Sequence, residues 1–393
     1  MKPSDCPSLP DRIARHLAPV PRSGIRDFFD VVSMMKGVVS LGIGEPDFDT
    51  PWHVREASIF ALERGSTHYT SNLGLPALRR EVSTYIERTF GVRYDPECEI
   101  LITVGVSEAM DLAVRALINP GDEALYHEPC YVSYNPLIRF SHGRPVPVPT
   151  GIKTEFRVTR EALEQHATPD TRLLILNMPN NPTGAVCRAS ELDEVAGFVR
   201  ERDLLVISDE IYAELTYEGQ HASLAACPGM KDRTVLLHGM SKAWAMTGFR
   251  IGFACAPAPL IEAMTKIHQY TMLCAPILSQ EAAVEALRHA DGEVVSMRAE
   301  YCRRRNFLAH ALRELGFECP TPGGAFYLFP RIPQVGLTSK EFSLRLLKEQ
   351  KVAVVPGTAF GACGEGFVRC SYATSMEDIQ EAVARIKIFL QTL

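Results

Sequence analysis

Lys242 and Arg250 stand eight residues apart in "LLHGMSKAWAMTGFRIGFA", residues 236–254, with no lysine, arginine, aspartate or glutamate between them. Both adjoin apolar runs that read as buried strands, where a charge is costly unless something neutralises it. In a partly desolvated site a lysine loses affinity for its proton, and the free amine can form an imine with a carbonyl compound. An arginine can hold a phosphate by paired, charge-assisted N–H bonds. Other candidate groups stand in comparable places, directly after apolar runs. Gly105, Val106 and Ser107 follow "ILITV" and open a helical pattern, and free amides beside a small residue and a hydroxyl suit a phosphate. Asn181 lies in "NMPNNPTG" after "RLLIL", and Ser241 directly precedes Lys242. Asp209 and Tyr212, in "SDEIY", offer a carboxylate that can keep a pyridine nitrogen protonated and a phenol that can bond a ring hydroxyl. Singly each has an ordinary reading: Asp209 as a helix N-cap, Asn181 as a turn former, the tyrosines as core aromatics. The joint placement argues for chemistry.

That placement depends on the elements. "EILITVG" reads as a strand, and "VSEAMDLAVRALI" after it repeats apolar residues at helical spacing. "EALYHE", "RPVPV", "RLLILNMP", "DLLVISDE", "TVLLHG" and "GFRIGFACA" follow as strands, with helical stretches such as "ASELDEVAGFVRERD" between several of them. Strands rich in Leu, Ile and Val alternating with helices imply an α/β unit with a mostly parallel, doubly covered sheet, placed at 46–284. A long charged helix, "GGAFYLFP", "VAVVPG" and "GFVRCSYA" then imply a smaller α+β domain, 285–393, completed by residues 1–45. Ligands of such sheets bind beyond the carboxyl ends of the strands, which is where the candidate groups lie. Phosphate, aldehyde, pyridinium and phenolic oxygen are the groups they match, and one cofactor carries all four: pyridoxal 5'-phosphate.

Composition narrows the remainder. The chain has 393 residues, 46% hydrophobic and 22% charged, with a formal charge of -6, so no basic face for nucleic acid is expected. The longest apolar runs fall far short of the roughly 20 residues of a membrane span. The start has no continuous apolar segment of a secretory signal, and a cytoplasmic location is expected. Eleven cysteines without a C-x-x-C pair read as small buried hydrophobes in a reducing compartment. The histidines form no ligand pair, and no metal site is expected.

"SKAWAMTGFRIG", "NNPTG", "SDEIY", "LGIGEPDF" and "GFVRCSYA" together resemble the fold-type I pyridoxal-phosphate aminotransferases of class I/II over essentially the whole chain. The resemblance implies that Lys242 carries the cofactor's covalent link, Asp209 pairs with the pyridine nitrogen, and Tyr212 and Asn181 bond the ring's phenolic oxygen. It implies that Tyr131, in "EPCYVSY", stacks on the ring. Gly105, Val106, Ser107, Ser241 and Arg250 would hold the phosphate, joined by Tyr69 from the neighbouring subunit of a homodimer. Arg369 would clamp the substrate α-carboxylate beside the backbone of Gly44. One departure is Gly239, where some members have a phosphate-binding serine. "SGIRDFFDVVSMMKGVVS" resembles the family's N-terminal helix, and a DNA-binding regulator on this fold would carry an extra domain instead.

The expected activity is transfer of an amino group from an L-amino acid to a 2-oxo acid such as 2-oxoglutarate. A carbon-sulfur β-lyase on the same fold is the other enzymatic reading. Members specific for dicarboxylic acids borrow an arginine from the neighbouring subunit, in the segment matching "KIHQYTMLCAP". Here that segment has His268, Gln269, Tyr270 and Thr271 and no arginine, with Lys266 a full turn away. Large neutral or aromatic donors are therefore expected over aspartate. "QYTMLCAP" also resembles the branch acting on N-acetyl-diaminopimelate.

Overall fold

The computed structural model describes residues 13–18, 20, 32 and 35–393. The N-terminal helix read from residues 23–40 lies over most of its length outside them. The short strand β1 (Val39–Ser40) comes first, and then β2 (Ile100–Thr103), β3 (Glu123–Glu128), β4 (Arg144–Pro149), β5 (Thr171–Asn177), β6 (Leu205–Asp209), β7 (Thr234–Gly239) and β8 (Gly252–Cys255). The last seven form one sheet in the order β2-β8-β7-β6-β5-β3-β4. Every pairing is parallel except those of β8, which runs against both β2 and β7. Successive residues of a strand face opposite sides of its sheet. Both sides are buried here: Leu173 and Ile175 pack with Ala109 and Ala113, while Leu174 and Leu176 pack with Leu192 and Val195. Double burial is why these strands are written as unbroken apolar runs.

Helices α1 (Trp52–Glu63) and α2 (Pro76–Phe90) precede this sheet in the chain. α3 (Gly105–Leu117), α4 (Tyr134–Phe140), α5 (Arg160–His166) and α6 (Ala189–Glu201) connect its strands, and α7 (Ala258–Thr271), α8 (Ile277–His289) and α9 (Asp291–Glu314) follow it. Beyond α9 the architecture changes, as expected. β9 (Tyr327–Leu328), β11 (Val355–Pro356) and β12 (Val368–Ser371) make an antiparallel sheet in the order β11-β12-β9, while β10 (Val352–Ala353) pairs in parallel with β1. "VAVVPG", read as one strand, is thus divided between two sheets at Val354. α10 (Ser339–Gln350) and α11 (Met376–Leu390) begin at Thr338 and Ser375, whose hydroxyls accept the N–H of Glu341 and Asp378. Their apolar faces close a core with α9 through Leu308, Leu312, Phe342, Leu346, Ile379 and Phe389.

Among the described residues no helix is long and apolar enough to cross a membrane, and no group of side chains could hold a metal ion. All ten described cysteines are free; four are buried, five half-buried, and Cys98 is exposed. The small-hydrophobe reading holds for the buried ones.

Candidate active site

Five parallel strands each deliver an expected residue to the carboxyl edge of the large sheet: β2 leads to Gly105, β3 to Tyr131, β5 to Asn181, β6 to Asp209 and Tyr212, β7 to Ser241 and Lys242. Arg250 arrives differently. Read as part of a strand "GFRIGFACA", it instead precedes the start of β8 at Gly252. Because β8 is reversed, its amino end lies among the carboxyl ends of its neighbours, and Arg250 turns onto the same edge with a left-handed φ of 51°.

The edge opens into a cleft of about 590 Å³ lined by Val106, Ser107, Tyr131, Asn181, Asp209, Tyr212, Ser241, Lys242 and Arg250, with Gly44 and Arg369 from outside the large sheet. Gly105 lies behind Arg250: a Cβ there would come within 2.7 Å of its Nη2, and its φ of +76° suits glycine. Tyr69 is the expected residue not brought to this cleft; it is 83% exposed. In "KIHQYTMLCAP" the structure turns His268 inward, fully buried with Nδ1 2.7 Å from Glu108, while Tyr270 is 86% exposed. His268 therefore packs into the core. Lys266 is exposed and paired with Glu262.

Three cations face the cleft. Lys242 is half-buried and donates from Nζ to the Gly44 carbonyl at 2.7 Å. Burial, reinforced by Arg369, pulls its pKa down from 10.5 to about 8, against the opposing pull of Glu45. Arg369 is buried, donates to the Asn181 side-chain oxygen at 3.0 Å and the Gly42 carbonyl at 2.7 Å, and keeps Nε without a partner. Arg250 donates to the Thr247 carbonyl at 3.1 Å. None of the three has a carboxylate within ion-pair distance among the described residues. Three cations without counter-ions around one cleft are what an anionic ligand would satisfy.

The floor carries the opposite problem. Asp209 is buried at the end of β6, and burial raises its pKa to about 6. Tyr134, in α4, opposes that rise by donating to Oδ2 at 2.7 Å, and the Ile211 N–H contacts Oδ1 at 3.3 Å. Asn177 ties the edge together, donating to the Asp209 carbonyl at 2.9 Å and accepting from the Asn181 N–H at 2.9 Å. Tyr212 bonds the hydroxyl of Tyr327 at 3.0 Å. Tyr134, Asn177 and Tyr327 were missed in the sequence. The available signals were Tyr134 three residues after Tyr131 and Asn177 at a strand end; Tyr327 in "GGAFYLFP" reads as a core aromatic.

These donors fit pyridoxal 5'-phosphate. The start of α3 with Ser107, Ser241 and the uncompensated Arg250 makes an anion cradle. Asp209 is a buried carboxylate lacking a cation, Tyr212 and Asn181 are neutral donors, and Lys242 is an amine with a lowered pKa.

The comparisons agree. The family model described as Aminotransferase class I and II matches residues 36–386. An aspartate aminotransferase of Pyrococcus abyssi is 46% identical over 372 residues, 94% of this chain and 96% of that one. The aromatic-amino-acid aminotransferase 2 of Thermococcus litoralis is 45% identical over 372 residues, again 94% and 96%. The solved aromatic aminotransferase of Pyrococcus horikoshii OT3 superposes with a TM-score of 0.89 at 44% identity, covering 93% of this chain and 99% of that one. The chain belongs to the class I and II aminotransferase family and is a pyridoxal-phosphate-dependent enzyme of that class.

Proposed function

We propose that this enzyme moves the amino group of a large neutral or aromatic L-amino acid to a 2-oxo acid such as 2-oxoglutarate. One observation carries the choice of donor: the cleft has three cations, and each is taken by a group common to every amino-acid substrate or to the cofactor. Lys242 takes the covalent attachment, Arg250 the phosphate and Arg369 the α-carboxylate. A side-chain carboxylate would be left poorly paired, at a cost of roughly 1 to 3 kcal/mol; 2-oxoglutarate bears the same cost at its distal carboxylate and enters as acceptor through Arg369 and adaptable polar groups. Relatives named for aspartate and for aromatic amino acids stand at nearly equal identity, so identity alone does not choose.

When bound, the cofactor supplies an aldehyde that takes over the amino group and a cationic ring that draws off the electron pair freed at the substrate Cα. Gly105, Val106, Ser107, Ser241 and Arg250 would hold its phosphate, and Tyr131 would stack on its ring. Asp209 keeps the proton on the ring nitrogen, and the Tyr134 hydroxyl keeps Asp209 ionised and aimed. Tyr212 and Asn181 bond the phenolic oxygen. Arg369 binds the α-carboxylate beside Gly44, which fixes the Cα–H next to Lys242. Lys242 Nζ, as the free amine, would take the proton from the substrate Cα and hold it for return.

The active unit is a homodimer in which Tyr69 reaches the partner's phosphate site; its exposure, and that of Tyr270, Trp52 and Phe60, supports this reading. The chain divides into a cofactor-binding unit, 46–284, and a smaller unit of 1–45 with 285–393. The free cysteines are in keeping with a reducing cytoplasmic setting. The test is kcat/KM for phenylalanine, tyrosine, aspartate and N-acetyl-diaminopimelate with 2-oxoglutarate. Aromatic donors are expected to lead, and an aspartate value more than about tenfold above them, roughly 1.4 kcal/mol, would overturn the assignment.

A further inference from the structure

Tyr327 lies in the cleft without a role in the chemistry described so far. It occupies β9 opposite Ser371 of β12, so Arg369, two residues back on β12, is its diagonal neighbour on the same face. The Arg369 guanidinium lies 4.5 Å from the Tyr327 ring centroid and 4.8 Å from that of Phe360, which fixes the ring from one side. Phe326 and Tyr212 pack against one another edge to face with centroids 5.5 Å apart, and Tyr212 meets Tyr327 at 5.9 Å. Gly44 completes the enclosure: a Cβ there would stand 3.0 Å from the Tyr327 hydroxyl. The two phenol oxygens meet at 3.0 Å with both side chains buried.

A hydroxyl has one proton to give and can accept two. If Tyr212 gives its proton to Tyr327, that proton is turned away from the cleft and the Tyr327 proton has no acceptor among the described residues. If Tyr327 gives its proton to Tyr212, the Tyr212 proton is free to point at an anionic oxygen in the cleft, and both protons are used. We infer that Tyr327 is a positioning residue whose hydroxyl donates to Tyr212, committing the Tyr212 proton to the phenolic oxygen of the cofactor. This rests on the reading of Tyr212 given above. Hydrogen bonds in such a chain polarise one another, so the second hydroxyl strengthens the first.

A stronger donor at the phenolic oxygen draws negative charge from it, and the nitrogen linking the cofactor to Lys242 then loses its proton at lower pH. The experiment is a spectrophotometric pH titration of the resting holoenzyme, read from the visible absorption without substrate. Tyr212→Phe is expected to move the midpoint upward, and Tyr327→Phe to move it the same way by about 0.3 to 0.7 of a pH unit. The double variant is expected to titrate like Tyr212→Phe alone, because Tyr327 acts only through Tyr212. Replacing Tyr327 with 3-fluorotyrosine, a stronger donor of similar shape, is expected to move the midpoint downward, and it serves if the Phe variant folds poorly. A Tyr327→Phe titration that overlies the native one while Tyr212→Phe shifts would overturn the inference alone, as would a double variant with additive shifts. Should Tyr212→Phe itself leave the midpoint unmoved, the Tyr212 reading falls and the inference with it.

Discussion

At the scale of single residues, the site is a set of charges held without their usual partners. Asp209 is kept anionic against burial by Tyr134, and Lys242 is kept partly neutral by burial and by Arg369. For an amine, a lowered pKa means that the neutral form persists to lower pH. Below about 8 the population of neutral Lys242 falls tenfold per pH unit, and above it the amine is mostly free. At pH 7 a site with that pKa holds about three hundred times more neutral amine than a lysine at 10.5. Attachment of pyridoxal 5'-phosphate to the apoprotein, trapped with borohydride and located on Lys242 by mass spectrometry, is therefore expected to accelerate up to about pH 8 and then level. A rate still climbing steeply past pH 9.5 would mean that Lys242 is an ordinary solvated lysine.

At the scale of elements, the reversed strand β8 determines where the proposed phosphate cradle sits. A Cβ on Gly252 would fall 2.8 Å from the Val106 N and 2.9 Å from the Gly105 carbonyl carbon, both backbone atoms that cannot swing aside. Gly252→Ala is expected to displace the first turn of α3, raise the cofactor Kd at least tenfold, about 1.4 kcal/mol, and leave the far-ultraviolet dichroism intact. Unchanged cofactor affinity would show that the close approach is not needed. The same packing accounts for Gly239: a Cβ there would meet the Gly252 Cα at 2.8 Å, so this edge has no room for a serine without a shift. Much of this was legible beforehand. Lys242, Asp209, Asn181 and Ser107 could be found because polar groups stand out after apolar runs. Tyr327 could not, because it acts on a neighbouring side chain, and an aromatic in an apolar segment looks like core; Tyr134 had only its spacing from Tyr131 to mark it. The direction of β8 was illegible for another reason: strand polarity is a property of pairing, and "GFRIGFACA" is equally apolar read either way.

At the scale of the whole molecule, the proposal of composite sites can be checked by complementation. Lys242→Ala and Tyr69→Ala chains, each weakly active alone, are mixed under conditions that exchange subunits. In a two-fold dimer each mixed pair holds one site with both native residues, so about a quarter of native activity is expected on random mixing. No recovery would place Tyr69 outside its neighbour's site. A different consequence follows from which strands supply which groups. Every expected cofactor contact within the large sheet lies between Gly105 and Arg250, whereas Arg369 comes from β12. The ribosome makes these in order, and at 5 to 20 residues per second the stretch from Arg250 to Arg369 takes roughly 6 to 24 seconds. During that interval a growing chain has Lys242 and the residues proposed to hold the phosphate but not the arginine proposed for a substrate carboxylate, so on that proposal the means of holding the cofactor is synthesised before the means of using it.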